Sequence, residues 1–151
     1  NEGHCTECNN TFVMDQYGFM HPKTDNDKVF ERVSEWLAWQ KQVIGNEYKE
    51  GFEFVDECEF ISNLIDEKKL EVCGKGKVVL KNDEFYIEGE MLNEPIKKEF
   101  KLNLIPQLPY DVGRRFQIPN EDYFLRVAPE NKKKVYEYVQ LVDYLNDERM
   151  K

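Results

Sequence analysis

At Gly51 the hydrophobic period of this sequence changes from helical to two, and that switch limits the folds open to the chain. Upstream, Trp36, Leu37, Trp39, Val43, Ile44 and Tyr48 recur at intervals of three and four. This predicts an amphipathic helix with Ser34 as N-cap, Glu35 in the first turn and Gly51 at the end. Downstream, Phe52, Phe54, Cys58 and Phe60 share one parity and Glu53, Glu57 and Glu59 the other, with Val55-Asp56 as the one breach, read as a bulge. Leu70, Val72, Val78 and Leu80 continue the pattern, with Gly74 and Gly76 softening the strand. Lys81 to Glu84 reads as a turn, after which Phe85, Ile87, Gly89 and Met91 alternate with Tyr86, Glu88 and Glu90. Phe100, Leu102 and Leu104, then Phe116 and Ile118, then Tyr123, Leu125 and Val127 supply further strands, broken up by Pro106, Pro109, Gly113 and Pro119.

A last helix opens at Pro129 and Asn131 and places Val135, Tyr138, Val139, Val142 and Leu145 on one face. Lys132, Lys133 and Lys134 fall in its first turn and read as a solvated run, since positive charge there opposes the helix dipole. About six or seven short antiparallel strands closed by one C-terminal helix predict an α+β, mainly β chain. Its element order is that of a PH-like or GRAM-like bent sandwich or barrel. Thr11 to Met20 reads as a preceding hairpin and His21 to Lys28 as a polar connector. The organisation expected is therefore a knuckle and hairpin over residues 1–22, a connector and amphipathic helix over 23–51, and the β-domain with its helix over 52–151.

Composition narrows the function. Twenty-one Lys and Arg against 30 Asp and Glu give a net charge of −9, which repels phosphate backbones and argues against nucleic acid. No run approaches the ~18 apolar residues that span a bilayer, and no signal sequence stands at the front. The alternating glutamates face water and do not build a carboxylate pair for acid–base work. His4 and His21 are the only histidines, and neither sits where a strand or helix would orient it beside a nucleophile, so no catalytic residue is assigned. His21-Pro22-Lys23-Thr24-Asp25 is one residue short of a His-x4-Asp motif, because Asn26 holds the required place. Gly74-Lys75-Gly76-Lys77 lacks the rest of a phosphate loop.

Cys58 and Cys73 fall on separate strands and read as small buried hydrophobes. Cys5 and Cys8 form a CxxC, the spacing of one zinc knuckle, since tetrahedral Zn²⁺ takes two thiolates from a tight turn. Such a pair favours metal or reduced thiols over a dense disulfide scaffold and points to a reducing, cytoplasmic compartment. Adjacent His4 and Cys5 share one ion only at awkward geometry, so Cys5 and Cys8 are read as half a metal site, empty in this chain. The simplest source of the other ligands is a longer parent protein.

The string Cys5-x-x-Cys8, then Met14-Asp15-x-Tyr17-Gly18 and Trp36-x-x-Trp39, resembles the region after the catalytic domain in bacterial lysophospholipid acyltransferase-like (1-acyl-glycerol-3-phosphate acyltransferase-like) proteins. It covers residues 1–50, with Asn9 at the knuckle glycine and Phe12 in place of a tryptophan. The resemblance implies a non-catalytic C-terminal accessory domain of a glycerolipid acyltransferase, with no cofactor in this fragment and zinc in the parent chain. Its partners would be its own catalytic domain, a lipid head group, an acyl carrier protein or a peptide. The alternative is a stand-alone PH-like protein or peptide interaction module unrelated to lipid synthesis.

Overall fold

The computed structural model describes residues 2–4, 11–17, 19–23, 32–120 and 123–150. The chain divides into two compact units, Asn1–Gln40 and Lys41–Lys151. In the first, β1 (Glu2–His4), β2 (Thr11–Met14) and β3 (Met20–Pro22) form an antiparallel sheet in that order. The expected hairpin is present, but His21 and Pro22 belong to its second strand and not to the connector. Helix α1 (Val33–Lys49) begins one residue before Ser34, which lies inside the first turn. It ends as the sequence predicts. Gly51 has φ +98°, its N–H donates to Tyr48 O at 3.0 Å and the Phe52 N–H donates to Glu47 O at 3.0 Å, a Schellman closure.

The second unit contains β4 (Phe54–Asp66), β5 (Lys69–Lys81), β6 (Glu84–Met91), β7 (Glu94–Phe100), a 3₁₀ turn (Leu102–Leu104), β8 (Tyr110–Asp111), β9 (Arg115–Ile118), β10 (Leu125–Pro129) and α2 (Lys134–Arg149). The seven strands form one antiparallel sheet in the order β7-β6-β5-β4-β10-β9-β8. A four-strand meander and a three-strand meander thus meet through β4 and β10, and α2 packs on β8, β9, β10 and the 3₁₀ turn. That is the PH-like plan. Both meanders supply one core, with Phe54, Val78, Ile87, Phe116, Leu125 and Leu141 all buried, so the sheet curls around it. The curl brings Lys98 of edge strand β7 to Asn120 beyond β9 (Nζ to Oδ1 2.6 Å), an inward-pointing charge of the kind that protects a sheet edge.

Four local readings are corrected. The alternation of β4 runs unbroken through Val55-Asp56: register is continuous from Phe54↔Leu80 to Phe60↔Gly74, and Asp56 faces inward to accept a hydrogen bond from Tyr138 Oη at 2.6 Å. The irregularities fall instead between Phe60 and Ile61 and between Ser62 and Asp66. The first of these leaves Cys73 without a register partner on β4 and reverses parity there, so Cys73 is buried while Leu70 and Val72 face solvent. Leu102–Leu104 is a 3₁₀ turn, not a strand, and Pro129 ends β10, so α2 starts only at Lys134.

The outer face of the first meander is a cross-strand charge lattice. Glu57, Lys77, Glu88 and Lys97 lie opposite one another across four strands, and Glu59, Lys75 and Glu90 repeat the alternation two residues away. Gly76 and Gly89 meet within this sheet so closely that a Cβ on Gly76 would fall 2.1 Å from Glu88 O. The turns at Asn82-Asp83 (φ 48° and 62°) and Leu92-Asn93 (φ 53° and 64°) have the left-handed pair that matches strand twist. No helix among the described residues is long and apolar enough to cross a membrane.

The C-terminal half of α1 is fastened to α2. Lys41 Nζ reaches Asp147 at 2.7 Å and Asp143 at 3.1 Å, Lys49 Nζ reaches Glu148 at 3.0 Å, and a Cβ on Gly45 would lie 2.4 Å from the Tyr144 ring. Gly45→Leu should therefore destabilise the second unit by about 1–3 kcal/mol through overpacking, despite the better helix propensity of leucine. Denaturant titration checks this, and an unchanged midpoint would contradict the Gly45–Tyr144 contact.

Candidate functional site

The N-terminal candidates separate. Asp15 organises the β2–β3 turn: Oδ1 accepts from the N–H groups of Tyr17 at 2.8 Å and Phe19 at 3.1 Å, and Oδ2 lies 2.8 Å from His21 Nε2. The Met-Asp-x-Tyr string is thus a turn device, and the hydrogen bond with His21, ahead of those from the backbone, holds the Asp15 carboxyl below its ordinary range. His4 pairs in register with Thr11 and His21 with Val13, so the two histidines stand two strands apart and offset along them. The fold does not bring them together. Cys5, Cys8, Asn9 and Gly18 lie outside the described residues, and among the described residues no group of three His, Cys, Asp or Glu is placed to hold a metal. Trp36 packs on Phe12 and edge-on to Trp39, with ring centroids 6.2 Å apart in each case, which fits packing anchors better than a ligand platform.

Cys58 and Cys73 are buried and unpaired with each other. Burial first, then Glu57, Asp56 and Glu130, push the Cys58 thiol up to about 12, and burial also raises Cys73. Neither is a nucleophile near neutral pH.

An open cleft of about 840 Å³ lies between the end of α1, the β5–β6 turn, the end of β7 and the last turns of α2. Phe85, Phe100, Leu102 and Leu145 give it an apolar floor, with the Phe85 and Phe100 rings 5.7 Å apart. Lys49, Lys101 and Arg149 face four carboxylates, Asp83, Glu84, Glu99 and Glu148. Tyr48 is wired to the turn: its hydroxyl donates to Asp83 Oδ1 at 3.2 Å and accepts from the Asp83 N–H at 2.5 Å. Burial pushes that hydroxyl up to about 12, and Tyr144 and Glu148 raise the Lys49 ammonium, so both remain protonated. No His, Cys, Ser or Thr lines the cleft. It offers apolar area and paired charges of both signs, which suits binding and supplies no nucleophile with a base. Sequence reasoning missed it because its walls come from four segments far apart in the chain.

A second groove of about 280 Å³ runs between Leu108, Pro109 and Tyr110 on one side and Tyr136, Val139 and Asp143 of α2 on the other, with the Tyr110 and Tyr136 rings 5.4 Å apart. In and after the following strands, Arg115 Nε and Arg126 Nη1 share the Asp111 carboxylate at 3.3 and 3.8 Å, and Lys132 Nζ donates to Arg114 O at 3.4 Å. The lysine triplet does not act as one solvated run. Lys134 alone is helical, pairs with Glu137 at 2.9 Å and lies over the Phe54 and Phe52 rings at 5.3 and 5.7 Å.

No family model and no curated protein matches the chain. Among solved structures, the Ran-binding domain of the nuclear complex component Nup2 from Ashbya gossypii is similar, with 13% identity over 63% of this chain and 96% of that one and a TM-score of 0.46.

Two outcomes follow from these geometries. Asp15 has a depressed pKa, so its contribution to the turn is complete above the ordinary value of 3.8 and is lost as pH falls through the lower folded value. The Tyr17 and Phe19 amide resonances should titrate below pH 3.8, and His21→Ala should move that midpoint up; a midpoint indifferent to His21 would contradict the pairing. In a chain carrying Cys5→Ser and Cys8→Ser, Cys58 should react with a disulfide reagent only as pH approaches about 12 or on unfolding. Rapid labelling at pH 9 in the folded chain would contradict its burial.

Proposed function

We propose that the second unit is a non-catalytic interaction module that takes a short segment of another protein into the 840 Å³ cleft. The observation that carries this reading is the composition of the cleft: an apolar floor of Phe85, Phe100, Leu102 and Leu145 under a rim of opposite charges, with no group able to attack a substrate. Four carboxylates against three cations disfavour a phosphorylated head group, because a polyanion needs an excess of positive charge. A polypeptide supplies apolar side chains for the floor and charges of either sign for the rim.

The resemblance of residues 1–50 supports a narrower reading within this one. The module would be the C-terminal accessory part of a bacterial glycerolipid acyltransferase in phospholipid synthesis, working at the cytoplasmic membrane face and packing on its own catalytic domain. A His-x4-Asp motif and a second CxxC upstream of Asn1 in the gene would support it, and their absence would contradict it.

Peptides selected from a displayed random library against the chain test the broader proposal. They should shift the amide resonances of Phe85, Phe100 and Leu145, and Lys101→Glu and Leu145→Glu should each weaken them about tenfold or more, with unfolding midpoints confirming a folded variant. Shifts confined to another surface would contradict the assignment, as would turnover of acyl-CoA with lysophosphatidate by this chain.

A further inference from the structure

The β4–β5 hairpin outruns the sheet it belongs to. On one side β10 pairs with β4 only as far as Ile61. On the other, β6 pairs with β5 only from Gly74, and the Leu92 N–H then donates to Cys73 O at 2.8 Å as the β6–β7 turn leads away. Beyond these points the hairpin continues as a two-stranded ribbon, with Ser62 opposite Glu71 and Asp66 opposite Lys69. Such a ribbon is marginal in water by itself. Leu64, Ile65, Leu70 and Val72, all on this ribbon, are exposed. The β4 edge has a neighbour, since Ser62 Oγ donates to Phe124 O. The β5 edge from Lys69 to Val72 has no strand beside it among the described residues. Along that edge Lys69 Nζ lies 3.5 Å from Glu71 Oε2, so the two charges share one face, and Leu70 and Val72 take the other.

We infer that this edge pairs antiparallel with the same edge of a second copy of the chain, about a twofold axis at Leu70. With the axis there, Lys69 of each copy faces Glu71 of the other, which makes two cross-strand ion pairs. Leu70 faces its own counterpart, with Val72 two residues along on the same side. Shifted axes fail. An axis at Lys69 sets lysine against lysine and Glu67 against Glu71, and one at Glu71 sets glutamate against glutamate and needs the Cys73 carbonyl that Leu92 already occupies. An axis between two residues places backbone groups that point outward opposite groups that point inward, and forms no ladder. Charge complementarity thus selects the partner and the register together. A lysine on an edge strand deters general pairing, whereas a second copy answers it with Glu71. The two ribbons then make one four-stranded sheet. No residue of the ribbon lines the 840 Å³ cleft, so the inference goes beyond the function proposed for that cleft. Edges this short bury less than the about 1,200 Å² of a standard interface, so the dimer is a weak one.

The test is sedimentation equilibrium of the full chain in reductant, with salt at about 0.15 M to screen the net charge of −9 on each copy. The wild type should show a monomer–dimer equilibrium between about 10 and 500 µM. Lys69→Glu and Glu71→Lys should each weaken the dimer about tenfold or more, because each sets like charges opposite one another. Mixed in equal amounts, the two variants should associate about as well as the wild type, since both facing sites of the mixed pair then carry opposite charges. The double variant Lys69→Glu, Glu71→Lys should dimerise again for the same reason. Unfolding midpoints close to wild type confirm that the single variants are folded. A wild type that remains monomeric to about 0.5 mM, a dimer indifferent to both substitutions, or single variants that fail to associate when mixed would overturn the inference.

Discussion

The second unit depends on the side chain of Tyr138. From a buried position on α2, its ring stacks on Phe116 at 5.4 Å and meets Phe54 edge-on at 5.9 Å, while its hydroxyl donates to Asp56 Oδ2 at 2.6 Å and lies 3.4 Å from Val78 O. One residue thus joins the helix to β4, β5 and β9, which belong to both meanders of the sheet. Burial, and next the Asp56 carboxylate, raise the hydroxyl far above its ordinary value, so it is a donor at neutral pH. Aromatic pairs of this kind contribute about 0.5–1.5 kcal/mol beyond area burial, and a hydrogen bond to a charged acceptor about 1.5–3 kcal/mol. Without the hydroxyl, the inward carboxylate of Asp56 would lose its partner on α2.

The sheet must curl to wrap this hub. The irregularity opposite Cys73 reverses strand parity, and close approach of β5 to β6 at Gly76 and Gly89 lets the backbones pack without side chains between them. On its outer face, rows matched in charge from strand to strand flank the apolar row Val55, Val79 and Tyr86. The concave features fall elsewhere, at the rims of α2: the cleft at its C-terminal turns and the groove along its N-terminal half. The proposed binding cleft therefore lies where the helix meets the sheet, and the stability of that junction sets how well its walls are held.

Much of this frame was legible in the sequence. The change of period at Gly51, the Asn82-Asp83 turn, the Phe85 to Met91 alternation and the Val135, Tyr138 and Val142 part of the buried face of α2 follow from side-chain spacing, because each is enforced within a few residues, whereas buried Leu141 and Tyr144 were missed. What escaped depends on partners distant in the chain. Asp56 looked like a breach in a strand because its reason, the Tyr138 hydroxyl, lies 82 residues away. Val72 looked inward because the parity reversal at Cys73 exists only against β4. The lysine triplet looked uniform until Arg114 and Glu137 divided it. The zinc half-site at Cys5 and Cys8 falls outside the described residues, whereas the nearby Asp15 turn shows what part of that motif does locally.

The proposed binding role presupposes a frame that holds its concave surfaces in place. The frame is tested most directly by native-state hydrogen exchange at the amides of Val78, Val127 and Leu141 in the wild type and in Tyr138→Phe. If α2 and both meanders form one cooperative unit through Tyr138, the three amides share a single opening free energy that falls together by about 1–3 kcal/mol in the variant. If Leu141 opens at lower free energy than the strands in the wild type, or the variant leaves all three unchanged, Tyr138 does not hold the fold together.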